Sequence, residues 1–317
     1  MKFNPAAHAI KDILFLDVET VAQYPTLNEA PEPYQRLWER KAARFMDEGD
    51  TPESIYSKSA IFSEFGRILA ISMGYFHESS EGGDALRITT LIGDERALLF
   101  EFRRRLASFN ERHPNTNFCA HNGKEFDFPY IARRLLIQGL TIPTSLYVAG
   151  RKPWETNFLD TFELWKFGDY KHYTSINLLG YIFGVSELME DMEGSMLHAL
   201  YYTDGDLTKI AEYSQRKLAT CAQLYRRFIG LPALPKERLE YNEAKVCDPT
   251  DEEDLNTLES APVVLPTEDA PTAASASGNA IVEISSETPL FIPLSVQEAT
   301  SFSDEATEST THHTLEP

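Results

Sequence analysis

The sequence predicts an α/β domain followed by an acidic, polar tail. Three observations carry that expectation. Apolar runs of strand length alternate with stretches of helical periodicity up to about residue 230. The first of these runs ends in two carboxylates. From Pro235 onward Ser, Thr, Ala, Pro, Glu and Asp dominate and aromatic residues nearly vanish.

Ile13–Thr20 reads I-L-F-L-D-V-E-T. Four apolar residues suit a buried strand, and Asp17 and Glu19, two apart, then share one face. Side by side they repel, which makes sense if a cation sits between them, and Mg²⁺ takes such oxygens. A strand running out into solvent would tolerate the same pair.

A Pro-rich stretch follows, then Tyr34–Met46, a helix with Leu37, Trp38, Phe45 and Met46 near one side and Arg36, Arg40, Lys41 and Arg44 around the rest. Those bases are a solvated face or a flank that guides a phosphate backbone. Arg67–Phe76 and Ala85–Ile92 read as a hairpin across a polar loop. Asp94 caps an expected helix over Glu95–Glu111. Thr116–Ala120 is a short strand, entering a helix that runs to about Gln138. Asn122 and Asp127 therefore fall at a strand-to-helix junction, where sites in α/β proteins gather. Phe158–Phe167 is expected as a further strand leading into a turn, with Asp160 at its end. Ser175–Val185 and Gly194–Tyr202 read as short helices. Leu207–Ile229 is the last one, with Asp206 as N-cap and Gly230 as stop. On it Tyr213 and Lys217 lie one turn apart.

The domain boundary falls between 1–235 and 236–317. The net charge is −20, and residues 236–317 hold 18 acidic against 3 basic side chains. The acidity is thus mostly the tail's, and the earlier domain can still present a positive groove. The tail is expected to be disordered, with two apolar islands, Ala280–Ile284 and Leu290–Val296, as docking segments for a protein partner. Three cysteines give no disulfide framework and no metal spacing. No membrane-length apolar run and no secretory leader are evident, so a cytoplasmic location is expected.

Taken in order, the D-x-E of the first strand, the N-x-x-x-F-D from Asn122 to Asp127 and Tyr213 in a late helix resemble the motifs of the DEDD, or DnaQ-like, 3′–5′ exonucleases. The resemblance is closest to the branch related to the exonuclease domain of family-B DNA polymerases, and L-D-T-F-E-L-W-K-F-G-D-Y and T-S-I-N-L-L-G-Y-I-F-G-V are similar to that branch too. It spans about Ile13 to Phe228. It implies a ribonuclease-H-like fold, a mixed central sheet with helices on both sides. It also implies hydrolysis at nucleic-acid 3′ ends, most simply of single-stranded DNA, with two Mg²⁺ or Mn²⁺ ions ~3.5–4 Å apart. Asp17, Glu19 and Asp127 then match metal ligands, and Tyr213 matches the residue that orients the attacking water. Asn122 and Phe126 match substrate contacts, and Asp160 a supporting position.

One position departs from the pattern. The last motif of the family is Y-x-x-x-D, whose Asp is the fourth ligand, but here Tyr213 is followed by Lys217. An ammonium cannot ligate a cation. Met189 stands where the branch tends to have lysine. Three readings follow, of which the sequence favours the first: a working exonuclease in which Lys217 holds the phosphate or supplies some of the metal's charge, a pseudo-exonuclease in which Lys217 pairs with Asp17 or Asp127 and the domain binds ends without cutting, or an interaction scaffold.

Overall fold

The computed structural model describes residues 9–169, 173–189 and 192–249. The centre is β1 (Ile13–Ala22). It pairs antiparallel with β2 (Gly66–Glu78), which turns back into β3 (Asp84–Gly93). On its other edge β1 pairs parallel with β4 (Asn117–Ala120), and β4 with β5 (Phe158–Asp160). Two more short strands, β6 (Leu239–Tyr241) and β7 (Lys245–Cys247), lie parallel to β3 on the outer edge. The order β5-β4-β1-β2-β3-β6, with the first strand central, is a mixed sheet flanked by helices, as in the ribonuclease-H-like fold.

The alternation of β1 sorts its side chains between two layers. Leu14, Leu16 and Val18 pack with α2 (Glu95–Arg112) and α3 (Asp127–Ile137). Ile13 and Phe15 pack on the opposite face with α5 (Ile176–Phe183) and α7 (Leu207–Phe228). Asp17 and Glu19 have the parity of Ile13 and Phe15, so they face α7. A bulge between Glu19 and Thr20 ends the regular register there.

Helix α7 lies close against the sheet because Gly74 of β2 has no side chain. A Cβ at Gly74 would come 2.5 Å from Leu218 Cδ2, directly after Lys217. Asp206 caps α7 by accepting from the Lys209 amide. The basic helix α1 (Glu32–Ala42) packs through Trp38 and Ala42 with Ala22 and Tyr56, beyond the carboxylate end of β1.

Three expectations are corrected. Phe158–Phe167 is a strand for three residues only; Thr161–Lys166 is helix α4, and Asp160 caps it by accepting from the amides of Phe162 and Glu163. Residues 236–249, expected in the tail, form β6 and β7, tied to the sheet by Arg87 and His77 on Glu240 and by the Asp94 amide on the Cys247 carbonyl. The expected helix at Gly194–Tyr202 is also broken up: a 3₁₀ turn, the short α6 (Leu197–Ala199) and a π turn at Leu200–Asp204. Residues 250–317, with both apolar islands, lie outside the described residues.

Candidate functional site

The site is built where α7 crosses β1. Ser214 and Lys217 are three apart on α7 and share a face. Ser214 Oγ donates to Asp17 Oδ2 at 2.8 Å. Lys217 Nζ lies 3.1 Å from Asp17 Oδ1 and 2.7 Å from Glu19 Oε1. One ammonium therefore bridges both carboxylates of the D-x-E. Its side chain keeps 22% of its surface exposed. The same Nζ stands 5.4 Å from the centre of the Tyr213 ring, a cation–π distance.

Asp127 is the first residue of α3, and its Oδ1 accepts from the Val18 amide at 3.0 Å. The strand residue between the two β1 carboxylates thus anchors the third. Burial sets the electrostatics. It pushes Asp127 up to about 8, with neighbouring Asp17 adding to the rise and Lys217 and the Val18 amide opposing it. It pushes Glu19 up too, Lys217 opposing and Asp17 adding. Burial works against the charge on Lys217, but Asp17 and Glu19 outweigh it and hold its pKa well above the ordinary lysine range. Tyr213 is buried and its phenol is pushed up to about 12.

The raised Asp127 value has a consequence for stability. A carboxyl that titrates higher in the folded chain than in the unfolded one stabilises the fold fully at low pH and less as pH rises. That contribution is present below about 4 and lost as pH climbs to about 8. Asp127→Asn keeps an acceptor for Val18 and has nothing to ionise. Urea unfolding at pH 5 and pH 8.5 is expected to show the variant gaining on the wild type at the higher pH.

Asp160 shapes the neighbouring loop. Its carboxylate accepts from the amides of Asn122 at 2.9 Å and Lys124 at 3.1 Å as well as capping α4. Those bonds hold Asn122 in the left-handed region, at φ +61°. Phe126 turns its ring to Tyr130, 5.2 Å between centres, and packs on the α2–α3 layer. The structure therefore brings together Asp17, Glu19, Asp127, Tyr213 and Lys217, with Asn122 and Phe126 in the adjoining loop.

Ser214 and His121 were not anticipated. The signal for Ser214 was its spacing from Lys217. His121 Nδ1 lies 2.9 Å from Thr161 Oγ1, and Nε2 lies 3.3 Å from the Thr174 carbonyl. Burial pushes its pKa down to about 4, so near neutral pH the ring is uncharged and joins β4 to the segment before α5. Met189, the second departure, packs in the cluster that contains Tyr213.

The donor set does not fit a pair of divalent ions as it stands. Lys217 already takes Asp17 Oδ1 and Glu19 Oε1, and Ser214 takes Asp17 Oδ2. Asp127 gives one oxygen to a backbone amide. Among the described residues no group of three or more His, Cys, Asp or Glu side chains is disposed to hold a metal ion.

No protein-family model matches the chain, and no curated protein matches it significantly. Among solved structures it is similar to the family B DNA polymerase from the hyperthermophilic archaeon Pyrobaculum calidifontis, at 13% identity and a TM-score of 0.40. The similarity covers 68% of this chain and 24% of that one, so the chain spans about a quarter of the polymerase's length. Among the described residues no helix is long and apolar enough to cross a membrane.

Proposed function

We propose that the domain binds the 3′ end of single-stranded nucleic acid at the Asp17–Glu19–Asp127 site without hydrolysing it. The observation that supports this best is the single ammonium of Lys217 bridging Asp17 and Glu19. Three bare carboxylates would repel a phosphodiester. Here the charge of the pair is offset from within the chain, and burial disfavours the charged form of Asp127. The partly exposed Lys217 is the cation of the site that a phosphate would approach. Helix α1 with Arg36 and Arg40, and Arg44 just after it, packs beyond the same end of β1 and suits a phosphate backbone. The motif resemblance at Asp17, Glu19, Asn122, Asp127 and Tyr213 supports a nucleic-acid 3′ end as the ligand. The acidic tail is a further proposed docking region for a protein partner.

A second reading has its own observation. Asp17, Glu19, Asp127 and Tyr213 converge on one spot, which a scaffold has no need of. In that reading the protein is a metal-dependent 3′–5′ exonuclease, and Mg²⁺ or Mn²⁺ must displace Lys217 before the carboxylates are free.

Fluorescence anisotropy with a 5′-labelled single-stranded DNA oligonucleotide in EDTA separates the two. Binding in EDTA that weakens steeply with added salt is the expected result. Binding that appears only with Mg²⁺ or Mn²⁺ favours the exonuclease reading, and no binding under either condition removes both.

A further inference from the structure

Against the loop that borders the carboxylate site stands a tyrosine that is backed by a buried ring yet left open. Tyr173 keeps 65% of its surface exposed. Its ring rests against Phe162 of α4, 4.9 Å between centres. Phe162 is buried and also touches His121, at 5.7 Å, so the support beneath Tyr173 belongs to the core. The following residue is tied down on both its polar groups. The Thr174 carbonyl lies 3.3 Å from His121 Nε2, and Thr174 Oγ1 accepts from Trp165 Nε1 at 3.2 Å. Ser175 then caps α5.

A single exposed aromatic residue is ordinary on a protein surface. Tyr173 is set apart by its rigid backing and by its position. Through Phe162 and His121 the ring backs onto the loop of Asn122, which Asp160 holds at the edge of the site; partial burial pushes its phenol up and Lys217 pulls it down. A flat, solvent-facing ring at the edge of a site that holds a partly exposed lysine side chain suits a ligand that pairs a π-face with a phosphate. An unstacked nucleobase on its backbone is such a ligand.

We propose that Tyr173 is the stacking platform for a base within the last three nucleotides of the bound strand. This rests on the nucleic-acid reading above and adds to it the selection of single strands: a base stacked inside a duplex has no free face to offer. It also implies tolerance of sequence, because every base has a π-face.

The test is anisotropy in EDTA with a 5′-labelled single-stranded DNA oligonucleotide and with three versions carrying an abasic site at the last, second-last or third-last position. Wild type, Tyr173→Phe and Tyr173→Ala are compared, with urea unfolding to check that the fold stands. Tyr173→Ala is expected to weaken binding of the intact strand by roughly 5- to 150-fold, the range for loss of one aromatic–base stack. Tyr173→Phe is expected to bind as the wild type does. At one abasic position the wild type should lose a similar factor and Tyr173→Ala should lose nothing more, the signature of a coupled pair. Equal affinity of wild type and Tyr173→Ala for the intact strand overturns the stacking role and leaves the nucleic-acid reading standing. An equal loss by Tyr173→Ala on every abasic strand does the same. A wild type that binds none of the strands overturns both.

Discussion

Lys217→Ala is expected to unfold in EDTA at much lower urea concentration than the wild type, and to recover when Mn²⁺ is added. Removing the ammonium leaves Asp17 and Glu19 facing each other in a buried site, with Ser214 as the remaining side-chain donor to Asp17. Breaking a buried ion pair by deleting one partner typically costs about 3–5 kcal/mol. Lys217 is 22% exposed and Glu19 can take up a proton, so the lower end of that range applies. The vacated position between two carboxylates is one a divalent ion can enter, and a ligand that binds only the folded chain raises its stability by mass action. The wild-type curve should not move with Mn²⁺. A variant as stable as the wild type in EDTA would show that Lys217 does not neutralise the pair.

Arg134→Met is expected to cost about as much, from the opposite layer. Glu95 opens α2 and is buried at 3% side-chain exposure against 4% for Arg134. Its carboxylate accepts from Arg134 Nε at 2.8 Å and Nη2 at 2.5 Å, and from the Ile68 amide at 2.7 Å. Arg134 Nη1 donates in turn to the Ser63 carbonyl. The pair thus ties the start of β2, the start of α2 and the body of α3, the helix that carries Asp127. The methionine leaves a buried carboxylate with fewer donors, a loss of about 3–5 kcal/mol. Glu95→Gln on the same background should restore part of it, because no charge is then left behind. Urea midpoints of the single and double variants measure both effects. An additive double variant would contradict the coupling.

The parts of this site that local chemistry determines were legible in the sequence. The apolar run of β1 and the two-residue spacing put Asp17 and Glu19 on one face. The helical period put Tyr213 and Lys217 on one side of α7. The choice of partner was legible for Asp17 but not for Glu19. Asp17 or Asp127 was expected for Lys217; the structure gives Asp17 and Glu19, because the start of α3 turns Asp127 to the Val18 amide. Asp160 shows how a signal can be present and be outweighed. F-L-D-T-F-E-L-W-K-F places apolar residues at both strand and helix spacing, yet Asp160 followed three residues later by Glu163 is also a helix-start pattern. The late strands β6 and β7 form against the outer edge of β3, roughly 150 residues earlier in the chain, and a polar composition gives no hint of that pairing.

The most direct test of the account is hydrolysis of a 5′-labelled single-stranded DNA oligonucleotide with Mn²⁺, comparing wild type, Lys217→Asp and Lys217→Asp combined with Asp17→Ala. The strand is expected to stay intact with the wild type, to shorten as a ladder from the 3′ end with Lys217→Asp, and to stay intact again when Asp17 is removed. A ladder from the wild type that Asp17→Ala abolishes would contradict it, and would show that the carboxylates work with Lys217 in their midst.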